Sequence, residues 1–182
     1  MDIGVIVCGG TSKSILRAHA FHENIIFLLF ALTILCSMLY ICSENDCDMK
    51  KNKSAYAQAN KDWLVAKSRE DGVMALSKGV YYKVLAEGDH SGTTPTPGNV
   101  ITAHYTGKTI DGKQFDSSRG DVPLACRLRD LIEGWIIAMQ QMHIGDRWEV
   151  YIPAELGYGK FSQPGIPGGS TLIFDIELLG IN

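Results

Sequence analysis

Cysteine is scarce in the C-terminal part of this 182-residue chain, because four of its five cysteines stand within the first 47 residues. Only Cys126 lies beyond them, so a disulfide-bonded scaffold is excluded for the C-terminal part. The sequence contains no Cys-x-x-Cys motif that would indicate a metal or redox centre. It carries a net charge of −3 and has no extended basic stretch with interleaved aromatic residues, so nothing in it indicates a nucleic-acid partner.

Charged residues are absent from residues 25–42, which read IIFLLFALTILCSMLYIC. A run of 18 such residues predicts a membrane-spanning helix and is longer than the apolar part of most cleavable signals. Lys13 and Arg17 precede the run, whereas the first charged residues after it are acidic. This asymmetry favours a cytoplasmic segment at residues 1–24. We therefore expect an uncleaved signal-anchor at 25–42, with the rest of the chain in the periplasm or at the cell surface.

Two other interpretations of this segment stay open. A cleaved secretory signal would release the rest of the chain, although no Ala-x-Ala-like site follows closely. A lipoprotein is the third, because Cys42 precedes Ser-Glu-Asn-Asp, which resembles the acidic start of some bacterial surface lipoproteins; the bulky Ile41 argues against it. In an oxidising compartment Cys42 and Cys47 could pair or stay reduced. All three interpretations place the C-terminal part outside the cytoplasm.

Residues 43–73 are predicted to form a linker that contains one helix. Residues 54–69 are rich in alanine, glutamine, lysine and leucine, and Gly72 supplies a stop signal. The apolar residues of this helix form no strong stripe. We therefore expect a solvated spacer that docks weakly through Trp63.

Residues 74–182 are predicted to form one domain dominated by β-strands. Its strand segments are rich in β-branched and aromatic residues and are bounded by turn formers. They are residues 79–85, 100–106, 113–116, 147–153 and 171–179. Asp111-Gly112 predicts a hairpin turn between the second and third of them. Alternation predicts that two of the strands turn one row of apolar side chains toward the core: Trp148, Val150, Ile152, Leu172, Phe174, Ile176 and Leu178.

One helix is predicted within this domain, at residues 131–142, where apolar residues recur every three or four positions. Gly134 costs such a helix about 1 kcal/mol relative to alanine, so we expect another element to approach it closely. The predicted fold class is α+β, with a curved antiparallel β-sheet wrapped around one short helix.

Seven short motifs follow one another from residue 104 to residue 179. They are HYTG (104–107), DGKQFDSS (111–118), IEGW (132–135), GDRW (145–148), IP (152–153), GYG (157–159) and TLIFDIELL (171–179). In this order they resemble the FKBP-type peptidyl-prolyl cis-trans isomerases, over about residue 79 to the C-terminus. The sequence WEVYIP (148–153) is most like that of bacterial envelope members.

The resemblance implies an apolar pocket between helix and sheet that takes proline-containing polypeptides and macrolide inhibitors, with no cofactor and no metal. Carried over position by position, it implies catalytic roles for Tyr158, Asp116, Trp135 and Phe115. It implies that the substrate-binding residues are Tyr105, Leu124, Leu131, Ile132, Ile166 and Phe174, with Leu131 and Ile132 opening the helix. Leu124 departs from the family pattern, which is usually aromatic at that position.

Packing alone could explain part of this set. Ile132 and Phe174 would be core residues in any fold with this pattern, and a tryptophan on a helix, such as Trp135, is often simple core. Tyr158 is different, because core packing rarely calls for a tyrosine between two glycines. Asp116 directly follows an apolar phenylalanine. A purely structural explanation is that it is a turn-forming aspartate before two serines.

The activity that the resemblance implies is rotation about X–Pro peptide bonds. The planar amide is held by resonance, with a barrier of about 18–20 kcal/mol. A dry aromatic pocket would bind the twisted, less charge-separated amide better than the planar one, without covalent chemistry. The alternative function is a proline-peptide binding module or holdase chaperone with little turnover.

Overall fold

The computed structural model describes residues 51–182. Its helices and strands are α1 (51–67), β1 (Val73–Ala75), β2 (Tyr81–Ala86), β3 (Val100–Thr109), β4 (Gln114–Ser117), β5 (Leu124–Arg127), α2 (Glu133–Met139), β6 (Arg147–Ile152) and β7 (Leu172–Ile181). The expected signal-anchor at 25–42 lies outside the described residues. Within residues 51–182, no helix has the length and apolar character that crossing a membrane requires.

The seven strands of residues 51–182 belong to one antiparallel sheet, in the order β1-β2-β6-β7-β3-β4, with β5 paired to the other part of β3. The long central strands β3 and β7 pair from Ile101–Ile181 to Thr109–Leu172. The predicted hairpin joins β3 to β4, where Gly112 has a φ of 80° and its N–H donates to the carbonyl of Thr109 at 2.9 Å. The expected antiparallel sheet with one short helix is confirmed.

Side chains alternate across β6 and β7 as predicted. The inward residues of both strands, including Trp148, Ile152 and Phe174, are at most 5% exposed. Tyr151 departs from the alternation, because it is fully buried although it faces the other side of the sheet. The reason is α1, whose Trp63 packs edge-on against the Tyr151 ring with centroids 6.0 Å apart.

The expectation that α1 is a solvated spacer is wrong, although the expected contact through Trp63 is present. Asn60 is 1% exposed and Leu64 is 7% exposed, so one side of the helix is buried on the sheet. The carboxamide oxygen of Asn60 accepts a hydrogen bond from the backbone N–H of Thr171 at 2.8 Å. The sequence analysis considered only the apolar residues of the helix. A contact made by a polar asparagine could not be predicted from them.

Helix α2 is shorter than the predicted span of 131–142, so Leu131 and Ile132 precede it instead of opening it. Ile132 is an extended N-cap whose carbonyl accepts the first helical hydrogen bond, from Trp135 N–H at 3.0 Å. At the other end, the Met142 N–H donates to the carbonyl of Met139, three residues earlier. This tighter turn ends the helix.

The close approach expected at Gly134 is present in the structure. A β-carbon at this position would lie 2.3 Å from Cγ2 of Ile152 on β6. Any side chain there would push α2 away from the sheet. This contact seats the helix directly over β6.

Candidate active site

Four aromatic rings meet between α2 and the sheet, and we call them the aromatic cluster: Tyr105 on β3, Phe115 on β4, Trp135 on α2 and Phe174 on β7. Their edge-to-face contacts have centroid distances of 5.2 Å for Tyr105–Trp135, 5.3 Å for Trp135–Phe174 and 5.7 Å for Phe115–Phe174. Such geometries are favourable between aromatic rings. Trp135 and Phe174 are buried, whereas Tyr105 and Phe115 are half-buried, so the cluster reaches the surface.

A glycine makes room for this cluster. Gly107 stands opposite Phe174 in the β3–β7 pairing, and a β-carbon there would lie 2.6 Å from Cε2 of Phe115 and 2.8 Å from Cε1 of Phe174. Sequence reasoning placed Gly107 in a motif but gave it no role at the site. The signal that could have found it is a glycine within a strand, which often marks a close approach.

A carboxylate is held at the rim of the cluster. The Tyr105 hydroxyl donates to Oδ2 of Asp116 at 2.5 Å, and Oδ1 accepts the Ser117 N–H at 2.9 Å. Burial, followed by the hydrogen bond to Asp116, raises the pKa of Tyr105, so its phenol stays protonated and donating. Asp116 itself is exposed, which leaves its carboxylate accessible beside the rings.

The other apolar residues predicted for the site pack against the same core as the rings. Ile166 is 5% exposed, and Leu124, Leu131 and Ile132 are half-buried against that core. Ile166 reaches it through a tight turn in the loop before β7, because Ile166 and Gln163 exchange two backbone hydrogen bonds of 2.8 and 2.9 Å.

Tyr158 lies apart from this group. Its side chain is 38% exposed, and within the described residues no ring contact joins it to the aromatic cluster. Burial and Asp116 are the leading causes of the raised pKa of Tyr105, and the Tyr158 phenol adds to them. The structure therefore brings nine of the ten predicted residues into direct contact with the cluster or its core and leaves Tyr158 at the surface nearby.

Helix α1 also bears on the site, which sequence reasoning missed. The Tyr56 hydroxyl and the Ser170 hydroxyl lie 3.0 Å apart in hydrogen-bond contact, and Asn60 holds Thr171. A β-carbon on Gly169 would lie 2.8 Å from that of Ala57. These contacts fix the C-terminal base of the loop that carries Tyr158 and Ile166.

The family model of the FKBP-type peptidyl-prolyl cis-trans isomerases matches residues 91–179. FK506-binding protein 1 of Debaryomyces hansenii is 41% identical over 104 residues, which cover 55% of this chain and 92% of that protein. The chain belongs to the FKBP-type peptidyl-prolyl cis-trans isomerases. The family expected from the motifs is thereby confirmed.

Other members of the FKBP-type family are longer than the matched region. FkpA of Escherichia coli strain K12 is 38% identical over 135 residues, covering 73% of this chain and 49% of FkpA. The outer membrane protein MIP of Legionella longbeachae is 37% identical over 121 residues, covering 65% of this chain and 51% of MIP. The chain thus spans about half the length of these relatives. Its fold is similar to the crystal structure of Escherichia coli FkpA, with a TM-score of 0.71 and 31% identity over 94% of this chain and 83% of that one.

Proposed function

We propose that this protein is a peptidyl-prolyl cis-trans isomerase that accelerates rotation about X–Pro bonds of exported or envelope polypeptides. The observation that carries the proposal is the aromatic cluster with Asp116 at its rim, in a chain of the FKBP-type family. Polypeptides folding outside the cytoplasm contain X–Pro bonds that isomerise over tens to hundreds of seconds, so such a catalyst would relieve a slow step.

The cluster is suited to bind a prolyl ring and to weaken amide resonance. Phe115, Trp135 and Phe174 offer apolar ring surface for the pyrrolidine, and the Leu124, Leu131, Ile132 and Ile166 side chains extend the apolar walls. Water stabilises the charge-separated planar amide, so removing water favours the twisted form. This is tighter binding of the transition state than of the ground state.

Two polar groups orient the substrate in this scheme. The Asp116 carboxylate, held by Tyr105, supplies a fixed negative charge beside the rotating amide. Tyr158 is exposed, so its hydroxyl is accessible to donate a hydrogen bond to the substrate carbonyl. The chemistry needs no covalent intermediate, because only the amide torsion changes.

Membrane attachment and inhibitor binding complete the proposal. The uncharged run at 25–42 supports a signal-anchor with the isomerase domain outside the cytoplasm, and one relative is named an outer membrane protein. Another relative is named an FK506-binding protein, which supports binding of macrolides of that kind at the aromatic cluster.

The test is a proline-peptide isomerisation assay on the full chain. We expect Phe115→Ala to lower kcat/KM about tenfold, equivalent to about 1.4 kcal/mol of transition-state stabilisation, and Tyr158→Phe to lower it severalfold. Phe161→Ala is the matched control, because Phe161 lies in the same loop region as Tyr158 but is 78% exposed. An unaltered kcat/KM in both site variants would show that the assigned roles are wrong.

A holdase chaperone is the second candidate function, and the exposure of Phe161 favours it. This apolar ring is 78% exposed and is accessible to unfolded chains. Suppression of aggregation of a proline-free client distinguishes the two functions. A holdase without turnover would retain this suppression in Phe115→Ala and lose it in Phe161→Ala, while neither variant would change the isomerisation rate.

A further inference from the structure

Two histidines and an aspartate converge away from the aromatic cluster. His90 lies in the loop after β2, and His143 and Asp146 lie in the turn between α2 and β6. Their potential ligand atoms all lie within 4.8 Å of one another. The Nε2 atom of His90 is 3.3 Å from Oδ1 of Asp146, and the Nδ1 atom of His143 is 3.8 Å from Oδ2.

Asp146 is a buried carboxylate that the backbone has already oriented. It is fully buried; its Oδ1 accepts the Gly88 N–H and its Oδ2 accepts the His143 N–H, each at 2.7 Å. Each carboxylate oxygen has two lone-pair sites, so one on each oxygen is left for a cation. Within residues 51–182, histidines are the only basic side chains paired with Asp146, and a buried charge calls for a counter-charge.

His143 presents a nitrogen that nothing in the described part of the chain satisfies. Its Nδ1 atom is buried and has no hydrogen-bond partner there, since the carboxylate of Asp146 is 3.8 Å away. Buried polar atoms of side chains are nearly always partnered. A metal ion between Nδ1 and the carboxylate would give Nδ1 its missing partner and give the buried carboxylate a counter-charge.

His90 is placed to complete the site once its ring turns. Its ring stacks on that of His143 with centroids 4.4 Å apart and planes 20° from parallel. Nitrogen lone pairs lie in the ring plane, so the two rings must tilt for their nitrogens to converge. The side chain of His90 is 56% exposed, which leaves it room to turn. Tetrahedral zinc, with bonds of about 2.0–2.2 Å, needs ligand atoms about 3.3 Å apart.

The backbone holds the two segments together independently of any ion. A β-carbon on Gly88 would lie 2.3 Å from the carbonyl oxygen of Ile144, and the Asp89 N–H donates to that oxygen at 3.0 Å. The loop that carries His90 is therefore fixed against the turn that carries the other two side chains. Such preorganisation reduces the cost of forming a site.

We propose that His90, His143 and Asp146 bind one divalent transition-metal cation, for which Zn²⁺ is the probe. Two imidazoles and one carboxylate are a ligand set that suits zinc, with a water molecule in the fourth position. The bound ion ties the loop after β2 to the turn before β6. This site is separate from the aromatic cluster and does not depend on isomerase activity.

The test is calorimetric titration of the full chain, without an affinity tag, with zinc chloride, alongside His90→Ala and His104→Ala. His90 is exposed, so its removal leaves the fold intact. His104 is the matched control, because its Nδ1 contacts the Ser118 hydroxyl at 3.1 Å, outside the cluster. We expect His90→Ala to remove one equivalent of binding or weaken it at least about tenfold, and His104→Ala to leave it unchanged.

Hydrogen exchange distinguishes this site from the cysteines and histidines of residues 1–50, which can also bind zinc. Zinc should slow amide exchange in residues 87–91 and 143–146 of the wild type, and this slowing should be absent in His90→Ala. The proposal is overturned if zinc binds the wild type and His90→Ala with the same stoichiometry and affinity, if it does not bind at all, or if exchange in these two segments is unaffected.

Discussion

The hydroxyl of Tyr105 is committed to one acceptor, the carboxylate of Asp116. This hydrogen bond fixes the negative charge beside the ring surface that we propose as the proline site. Through this hydrogen bond, Tyr105 on β3 orients the carboxylate that we propose acts on the substrate amide. Because Asp116 is exposed, solvent would compete for its orientation without this donor.

The first prediction concerns the variant Tyr105→Phe. It keeps the ring and its contacts to Trp135 and Phe174 but removes the donor to Asp116. We expect kcat/KM for a proline peptide to fall about three- to tenfold, while the free energy of unfolding changes by about 1 kcal/mol or less. Tyr82→Phe is the control, because Tyr82 stacks on Trp148 at 4.1 Å, outside the aromatic cluster. Equal losses in both variants would contradict a specific role for the hydroxyl.

The second prediction concerns Asp175 on the outer face of β7. It accepts hydrogen bonds from Arg147 at 2.9 and 2.6 Å and from Arg119 at 3.1 Å. The hydrogen bond from Arg147 is the largest cause that lowers the pKa of Asp175 from its ordinary value of 3.8. A carboxyl group whose pKa is lowered by folding stabilises the folded state at pH values above its ordinary pKa. This contribution is lost as the pH falls through the lowered pKa of the folded state.

We therefore expect Asp175→Asn to cost about 1–2 kcal/mol at pH 7, discounted for partial exposure. The difference from wild type should shrink steadily as the pH falls below 3.8, the ordinary value. Urea unfolding at a series of pH values measures this difference. Asp71→Asn, at an exposed position, is the control and should show little effect at any pH. A difference for Asp175→Asn that is constant with pH would contradict the assignment.

At this scale, much of the site was predictable from the sequence. Period-two alternation placed Phe174 toward the core, and the motif order predicted Phe115 and Asp116 side by side on β4. The alternation failed at Tyr151, because a strand pattern carries no information on a helix that covers its other face. The position of Tyr158 could not be predicted either, because it depends on loop closure rather than on periodicity.

At the scale of elements, α1 is the feature that most changes the picture of the site. It covers the outer face of β6 at Tyr151 and anchors the residues just before β7. Its key contact is the amide of Asn60, which also donates to the Tyr56 carbonyl at 2.9 Å. A helix that clamps the base of the site loop influences both stability and activity.

The third prediction is that Asn60→Ala destabilises the protein by about 1–3 kcal/mol, because the buried Thr171 N–H loses its acceptor. The base of the loop would also loosen, so we expect kcat/KM to fall severalfold under conditions in which the variant stays folded. Urea unfolding and the proline-peptide assay measure the two effects. Gln58→Ala is the matched control, since Gln58 is an exposed amide on the same helix that donates a hydrogen bond to the exposed Asp62. Similar stabilities for both variants would contradict the clamp.

Long elements were easier to predict than short ones. The strands β3, β6 and β7 carry clear alternation over six or more residues, and all three were expected. The edge strand β1 has three residues and β5 has four, too few to show a period, and neither was expected. The equally short β4 was expected because the Asp111-Gly112 turn pairs it with β3. The ends of α2 were also missed, because they are set by an extended N-cap and a tight final turn rather than by apolar spacing.

At the scale of the whole molecule, the sheet, α2 and α1 form one unit over residues 51–182. The ordered motifs were sufficient to predict its family, because several short matches in a fixed order are far more specific than any one of them. They could not reveal that α1 packs on the domain, since this helix lies outside the matched region at 91–179.

The central claim is that a proline peptide binds against the aromatic cluster, and the three tryptophans of the chain allow a direct test. Trp135 belongs to the cluster, Trp63 lies against Tyr151, and Trp148 stacks on Tyr82. Fluorine NMR of the full chain labelled with 5-fluorotryptophan gives each of them its own signal. Trp63→Phe and Trp148→Phe variants assign these signals.

Addition of an X–Pro peptide should shift the Trp135 signal and leave those of Trp63 and Trp148 in place, and the same peptide with alanine for proline should shift none of them. A shift confined to Trp63 or Trp148, or no shift at saturating peptide, would contradict the account.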